Sequence, residues 1–276
     1  MNLNIPKFVK WAGGKTQLIE QFKPLFPSKI DRYFEPFVGG GAVLFYVIEI
    51  YSPKKVFISD INEELINSYK IVKEDVENLI SLLKKHAKEY SKEEKEYYYK
   101  IRALDVENFT DLERAARFIF LNRTCFNGLY RVNSKGKFNV PIGRYVNPDI
   151  VREDVLRRIN KLLQKVELRV MSFEKIVGLV QQDDFVYFDP PYWPINGTSF
   201  TSYTHLDFKK EDQEKLAEVF KELDKKGCKI MLSNSDTKLI NDLYKNYKIK
   251  IVKATRMINS KVEGRGEINE VVITNY

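Results

Sequence analysis

Residues 33–48 read YFEPFVGGGAVLFYVI, a mostly apolar run from Tyr33 to Val38 interrupted by Glu35, a break at Gly39-Gly40-Gly41, and then AVLFYVI with no charge before Glu49. That order reads as strand, glycine turn, helix. Two later stretches repeat the pattern of a strand with chemistry at its end. In KVFISDIN, Val56 to Ser59 is a short buried strand with Asp60 at its carboxyl end, and the helical ELINSYKIV follows. In DFVYFDPPY, Phe185 to Phe188 is another, with Asp189 at its end. Further strands are expected at Lys229 to Leu232, Ile249 to Lys253 and Val271 to Thr274, with a helix from Lys210 to Lys226 between them. Strands alternating with helices imply an α/β fold built on a doubly wound sheet. Its ligand belongs beyond the carboxyl ends of the strands, where Gly39 to Gly41, Asp60 and Asp189 all fall.

Residues 64–165 leave that rhythm. They give a long charged helical run, a loop-rich basic segment, and the helical PDIVREDVLRRINKLLQ. We read them as an inserted, mainly helical subdomain, with the core formed by residues 1–63 and 166–276. Within the insert, YRVNSKGKFNV alternates on both sides of Asn133-Ser134-Lys135-Gly136, a β-hairpin signal. A chain of 276 residues can bury enough surface to hold a core with such an insert without disulfide or metal staples.

The composition, 43% hydrophobic and 30% charged, is that of an ordinary globular protein and excludes a fibrous or disordered chain. The longest uncharged apolar stretch, Pro36 to Ile48, is too short to span a bilayer. The N-terminus MNLNIPKFVKWAGGK lacks the apolar core of a secretory signal. Cys125 and Cys228 offer no disulfide framework, so a cytoplasmic location is expected.

The net charge of +8 points to an anionic partner, and its distribution says more. Between Arg114 and Pro148 stand Arg114, Arg117, Arg123, Arg131, Lys135, Lys137 and Arg144, with no Asp or Glu. A solvated basic face would account for the charges alone. Their interleaving with Phe118, Phe120, Phe126, Tyr130, Phe138 and Tyr145 suits a surface that meets both phosphates and bases.

The glycine turn lets backbone approach a ligand closely, although Leu44 stands where a dinucleotide fold would have its third glycine. Asp60, at the end of the second strand, suits hydrogen bonds to ribose hydroxyls; capping of the next helix is the plainer alternative. Asp189-Pro190-Pro191-Tyr192 is the sharpest feature. Two prolines remove two backbone donors, so the turn presents acceptors. A carboxylate and a proline carbonyl can accept both hydrogens of an exocyclic amine and aim its lone pair at an electrophile. Tyr192 offers a face for a planar base.

With these residues together, the chain resembles the Dam-type DNA adenine-N6 methyltransferases of the D12 class. The order of glycine motif, inserted recognition region and DPPY matches that group over nearly the whole chain. KWAGGK at Lys10 to Lys15 resembles its N-terminal cofactor motif, and LNRTCFNGLYRVNSKGKFNVPIGRY, Leu121 to Tyr145, resembles its DNA-reading segment. The resemblance implies a Rossmann-like S-adenosylmethionine-dependent methyltransferase core, mostly parallel with an antiparallel strand. It implies S-adenosyl-L-methionine as cofactor, double-stranded DNA as substrate and 5′-GATC as site, and it leaves open whether a cognate restriction endonuclease acts on the same site. By the same resemblance, Trp11 and Lys15 enclose the cofactor, Asp60 holds its ribose, and Phe37, Gly39, Gly41 and Asp189 line it. Asp189, Pro190, Pro191 and Tyr192 hold the target adenine. Arg131 reads a guanine and Lys10 another base, and Phe126, Asn127, Leu129 and Tyr145 contact or wedge the duplex. Lys135, Lys137 and Arg144 meet phosphates. The chain departs from the family at Thr124-Cys125, where an aromatic residue and a glycine are usual, and over Ile258 to Glu267, which leaves Arg265 without an assigned role.

Other chemistries lack their residues. Gly14-Lys15-Thr16 imitates the end of a phosphate-binding loop, but Val9 occupies the position of its first glycine. His86 and His205 stand apart and the cysteines are distant, so no metal site is expected. Neither cysteine follows a proline, as the nucleophile of ring-carbon cytosine methyltransferases does. An RNA base methyltransferase on the same core and a catalytically silent DNA-binding protein remain the alternatives. The basic insert argues against the first and the intact DPPY against the second.

Overall fold

The computed structural model describes residues 5–195, 208–255 and 267–276. Arg265 and His205 lie outside the described residues. Among the described residues, seven strands form one sheet: β1 (Arg32–Glu35), β2 (Lys55–Asp60), β3 (Val166–Val170), β4 (Phe185–Phe188), β5 (Lys229–Ser235), β6 (Lys248–Thr255) and β7 (Glu267–Thr274). Their spatial order is β3-β2-β1-β4-β5-β7-β6. Pairings from β3 to β5 are parallel, and β7 runs antiparallel between β5 and β6. The order reverses between β1 and β4, where adjacent parallel strands send their connections to opposite sides and open a crevice.

Strand residues are buried on both faces, as a parallel sheet under helices requires. Tyr33, Val56, Ile58, Tyr187 and Met231 point into a core shared with α1 (Ile19–Phe22), α2 (Ala42–Tyr51) and α3 (Glu63–Glu74). Phe34, Phe57, Val186, Phe188, Ile230 and Leu232 point the other way, beneath a helix at Lys210–Lys225. β1 is shorter than the expected Tyr33 to Val38 because Pro36 has no N–H for the ladder. Val38 instead donates to the Ser59 carbonyl at 3.2 Å, drawing the glycine turn toward β2.

Residues 64–165 contain most of α3, then α4 (Val76–Tyr90), α5 (Glu94–Ala103), α6 (Asp111–Thr124), a looped segment, and α7 (Glu153–Leu163). The start of α6 is set by a reciprocal cap between Thr110 and Glu113, a feature worth about 1 kcal/mol. The expected helix from Pro148 begins at Glu153, after Arg152 at a left-handed φ of 47°. Tyr98, Phe118 and Phe120 are buried in the apolar cluster that holds Leu44 and Phe45 of α2. α8 (Lys210–Lys225) and α9 (Lys238–Leu243) complete the helices.

Candidate active site

The carboxyl ends of β1, β2 and β4 bring the glycine turn, Asp60 and Asp189 to one edge. Asp60 Oδ2 accepts from the Gly39 N–H at 3.4 Å and Oδ1 from the Asn62 N–H at 2.9 Å. The helix cap is a different residue: Asn62 Oδ1 takes the Leu65 N–H at 3.0 Å. Burial pushes the Asp60 carboxyl up to about 6 against the pull of those N–H donors. Gly39 and Gly41 have φ of 47° and 74°, and a side chain at either would collide with protein. A Cβ on Gly39 would stand 2.7 Å from the Trp11 ring, and one on Gly41 2.5 Å from the Tyr69 hydroxyl. Trp11 thus closes over the turn, with its ring stacked 6.0 Å from Tyr130. Phe37 packs among Phe173, Phe188 and Phe208.

Asp189 is met by Lys15, which comes from the N-terminal segment. Lys15 is 3% exposed, and its Nζ lies 2.7 Å from Asp189 Oδ1, donates to the Gly13 carbonyl at 2.6 Å, and stands 4.6 Å from the centre of the Tyr192 ring. Burial lifts the Asp189 carboxyl to about 6 and the ammonium of Lys15 opposes that rise. The Tyr192 hydroxyl donates to Glu270 on β7 at 2.8 Å. Glu35, at the end of β1, is 2% exposed and accepts from the Tyr33 hydroxyl at 2.8 Å; burial holds its carboxyl well above the usual range.

Leu121 to Thr124 end α6, and the chain from Cys125 to Ile142 forms a hairpin held by isolated bridges rather than by a regular ladder. Val132 bridges Phe138 and Cys125 bridges Ile142, while Asn139 N–H donates to Arg131 O at 3.0 Å. Asn133 Oδ1 accepts from the N–H groups of Lys135 and Lys137, both at 3.0 Å, and shapes the tip. The seven basic residues divide into two sets. Arg114 is tied to Glu64 at 2.6 Å, Arg117 to the carbonyls of Ile101 and Arg102, and the buried Arg123 to the carbonyl of Phe8. These three hold the helices. Arg131, Lys135, Lys137 and Arg144 are exposed. Arg131 Nε donates to Asn139 Oδ1 at 2.7 Å, and Lys137 lies 3.5 Å from Asp105.

Phe126 is 49% exposed beside Asn127, which takes a left-handed φ of 54°. The Lys10 ammonium rests 3.6 Å from the centre of the Tyr145 ring, and its backbone is gripped by Asn122. Lys10, Tyr145 and the 126–129 turn therefore share one face. Leu129 is partly buried behind it.

The sequence pattern of the D12 class N6 adenine-specific DNA methyltransferases matches residues 11–258. The chain belongs to that family. Relatives of this D12 methyltransferase include the type II methyltransferase M.MjaIII of Methanocaldococcus jannaschii, 49% identical over 99% of this chain and 100% of that protein. The type II methyltransferase M1.LlaDCHI of Lactococcus lactis subsp. cremoris is 47% identical, covering 99% and 96%. The DNA adenine methylase of Haemophilus influenzae is 36% identical, covering 96% and 92%. A methyltransferase from Pyrococcus furiosus of known structure aligns with a TM-score of 0.39 at 13% identity, over 94% of this chain and 82% of that one.

Membership makes S-adenosyl-L-methionine the methyl donor of this D12 enzyme, and the residues present fit it. Asp60 keeps acceptor capacity beyond the N–H groups of Gly39, Asn62 and Ile61 that it faces, as a ribose hydroxyl needs. Ile61 beside it is 51% exposed and offers an apolar face. Sequence reasoning missed Glu35 and Glu270. Only Glu35 left a local signal, a carboxylate at a strand end inside an apolar run.

Proposed function

We propose that the enzyme methylates the N6 amino group of adenine in duplex 5′-GATC, turning the base out of the helix to meet Asp189-Pro190-Pro191-Tyr192. The observation that carries this reading is the pairing of buried Lys15 with Asp189 beneath Tyr192, next to the strand that leads into the glycine turn and two strands from Asp60. The cofactor supplies an electrophilic methyl group. Asp189 and the Pro190 carbonyl accept the two amino hydrogens, so the nitrogen is drawn toward tetrahedral geometry with its lone pair directed at the methyl carbon. Lys15 favours the ionised, accepting form of Asp189. Tyr192, steadied by Glu270, gives the extruded base a face to stack on. Trp11, Phe37, Gly39, Gly41 and Asp60 hold the cofactor.

Residues 64–165 supply target recognition in this reading. Arg131 makes paired hydrogen bonds to guanine O6 and N7, worth roughly 1–3 kcal/mol of discrimination. Lys10 and Tyr145 reach the adjoining bases, and Phe126 fills the space the adenine vacates, with Asn127 and Leu129 beside it. Lys135, Lys137 and Arg144 meet phosphates. The names of the type II relatives support a cognate restriction endonuclease acting at the same site. Labelled-methyl transfer to duplexes with each pair of GATC replaced in turn tests the reading. Full rate after replacing the guanine pairs removes the assigned site, and a preference for single-stranded RNA removes the duplex substrate.

A further inference from the structure

The prolines that make the acceptor turn also remove the groups by which it could be anchored. Pro190 and Pro191 carry no N–H, so the backbone of the turn between Asp189 and Tyr192 can be anchored only through its carbonyls. Three buried polar side chains hold it, and Trp193 after it, from behind. Gln213, in the first turn of α8 and 0% exposed, donates Nε2–H to the Pro191 carbonyl at 2.9 Å. Its Oε1 accepts from Nδ2 of Asn234, on β5 and also fully buried, at 3.0 Å. Asn234 Oδ1 accepts from the Trp193 N–H at 3.1 Å and the Ser235 N–H at 2.8 Å, and the Ser235 hydroxyl donates to the Trp193 carbonyl at 2.6 Å.

The polarity of this chain of bonds is forced from one end. Two backbone N–H groups require an oxygen at Asn234 Oδ1, so its NH2 faces Gln213, whose own NH2 then faces Pro191. Both amides are fully buried, where an unpaired amide is costly. Their bonds run to the turn and to each other.

We propose that Gln213 is a positioning residue for methyl transfer. Bound to Asn234 at one end and to the Pro191 carbonyl at the other, it holds the turn against the end of β4. It also commits the Pro191 carbonyl to the protein, which leaves Pro190 to pair with Asp189 as the acceptors of the amino group. This rests on the reading of Asp189 to Tyr192 as the amine-holding turn.

The test uses the full chain with Gln213→Met, which removes both bonds at similar volume, and Gln213→Asn, which keeps an amide too short to reach Pro191. Single-turnover methylation at saturating cofactor and duplex should fall about a hundredfold, the scale of a displacement near 1 Å at the reacting group. Cofactor affinity by calorimetry and the brightening of 2-aminopurine at the target position should stay within about twofold of wild type, a split that a merely structural role would not produce. Wild-type rates in the variants overturn the proposal, as does a loss of rate matched by an equal loss of cofactor affinity. If Gln213→Met does not fold, Gln213→Asn decides. Asp189→Ala is measured alongside. An active Asp189→Ala removes the underlying reading, whereas an inactive one with a fully active Gln213→Asn removes only the role of Gln213.

Discussion

Replacing Lys15 by methionine should move the acid limb of the pH–rate profile rather than simply lower activity. Asp189 must be ionised to accept hydrogens from an amine, and its carboxyl stands at about 6 with Lys15 2.7 Å away. At pH 7 about 90% of the wild-type enzyme therefore has the accepting form. An opposite charge at this range lowers a carboxyl by roughly 1–3 units, so deleting it should carry Asp189 to about 7–9. For a rise of about two units the ionised fraction at pH 7 drops about tenfold and is regained at about pH 9. The assay is single-turnover methyl transfer at saturating cofactor and DNA from about pH 5 to 9.5, with thermal unfolding of each variant as control. A loss that is the same at every pH, or an acid limb left near 6, would refute the view that Lys15 acts by keeping Asp189 ionised.

Asp60→Asn should abolish the loss of stability, about 2–3 kcal/mol, that the cofactor-free wild-type protein suffers between pH 4 and pH 7, while weakening cofactor binding. A carboxyl raised from 3.8 to about 6 contributes stability that is present below pH 4 and is lost as pH climbs through 6, which thermal melts at the two pH values would show. Asn139→Ala should free the guanidinium of Arg131 and reduce discrimination at one guanine pair by about fivefold, roughly 1 kcal/mol, measured as kcat/KM on substituted duplexes; unchanged selectivity refutes a restraining role. Arg123→Met should lower the melting temperature yet leave the salt dependence of DNA binding intact, whereas Arg144→Ala should leave stability unchanged and reduce the salt slope by about 1. Equal slopes for the two variants would undo the division of the basic segment into structural and exposed sets.

What could be read from the chain alone was local. Phe185 to Phe188 is bounded by Asp184 and Asp189, and the strand has those limits. β3 escaped notice because VELRV lies at the sheet edge, where Glu167 and Arg169 face outward and break the apolar run. The charge of residues 114–148 was legible but not its use. Whether an arginine meets a phosphate or a helix carbonyl depends on Phe8, Ile101 and Glu64, which the fold delivers from elsewhere.

The same limit governs the acceptor turn, for a chemical reason. A motif that works by presenting carbonyls and a carboxylate, with prolines in place of donors, cannot hold itself by its own backbone N–H groups. Its supports must come from neighbouring elements: Lys15 from the N-terminal segment, Gln213 from α8, Asn234 from β5 and Glu270 from β7. Each is tens of residues or more from Asp189 to Tyr192 along the chain and within hydrogen-bonding distance of the turn or of another support. The four residues that name the chemistry are contiguous because one strand end must present them together. The residues that give those four their geometry and charge are scattered because only the adjoining strands and helices can reach behind a turn whose two central residues carry no backbone donor.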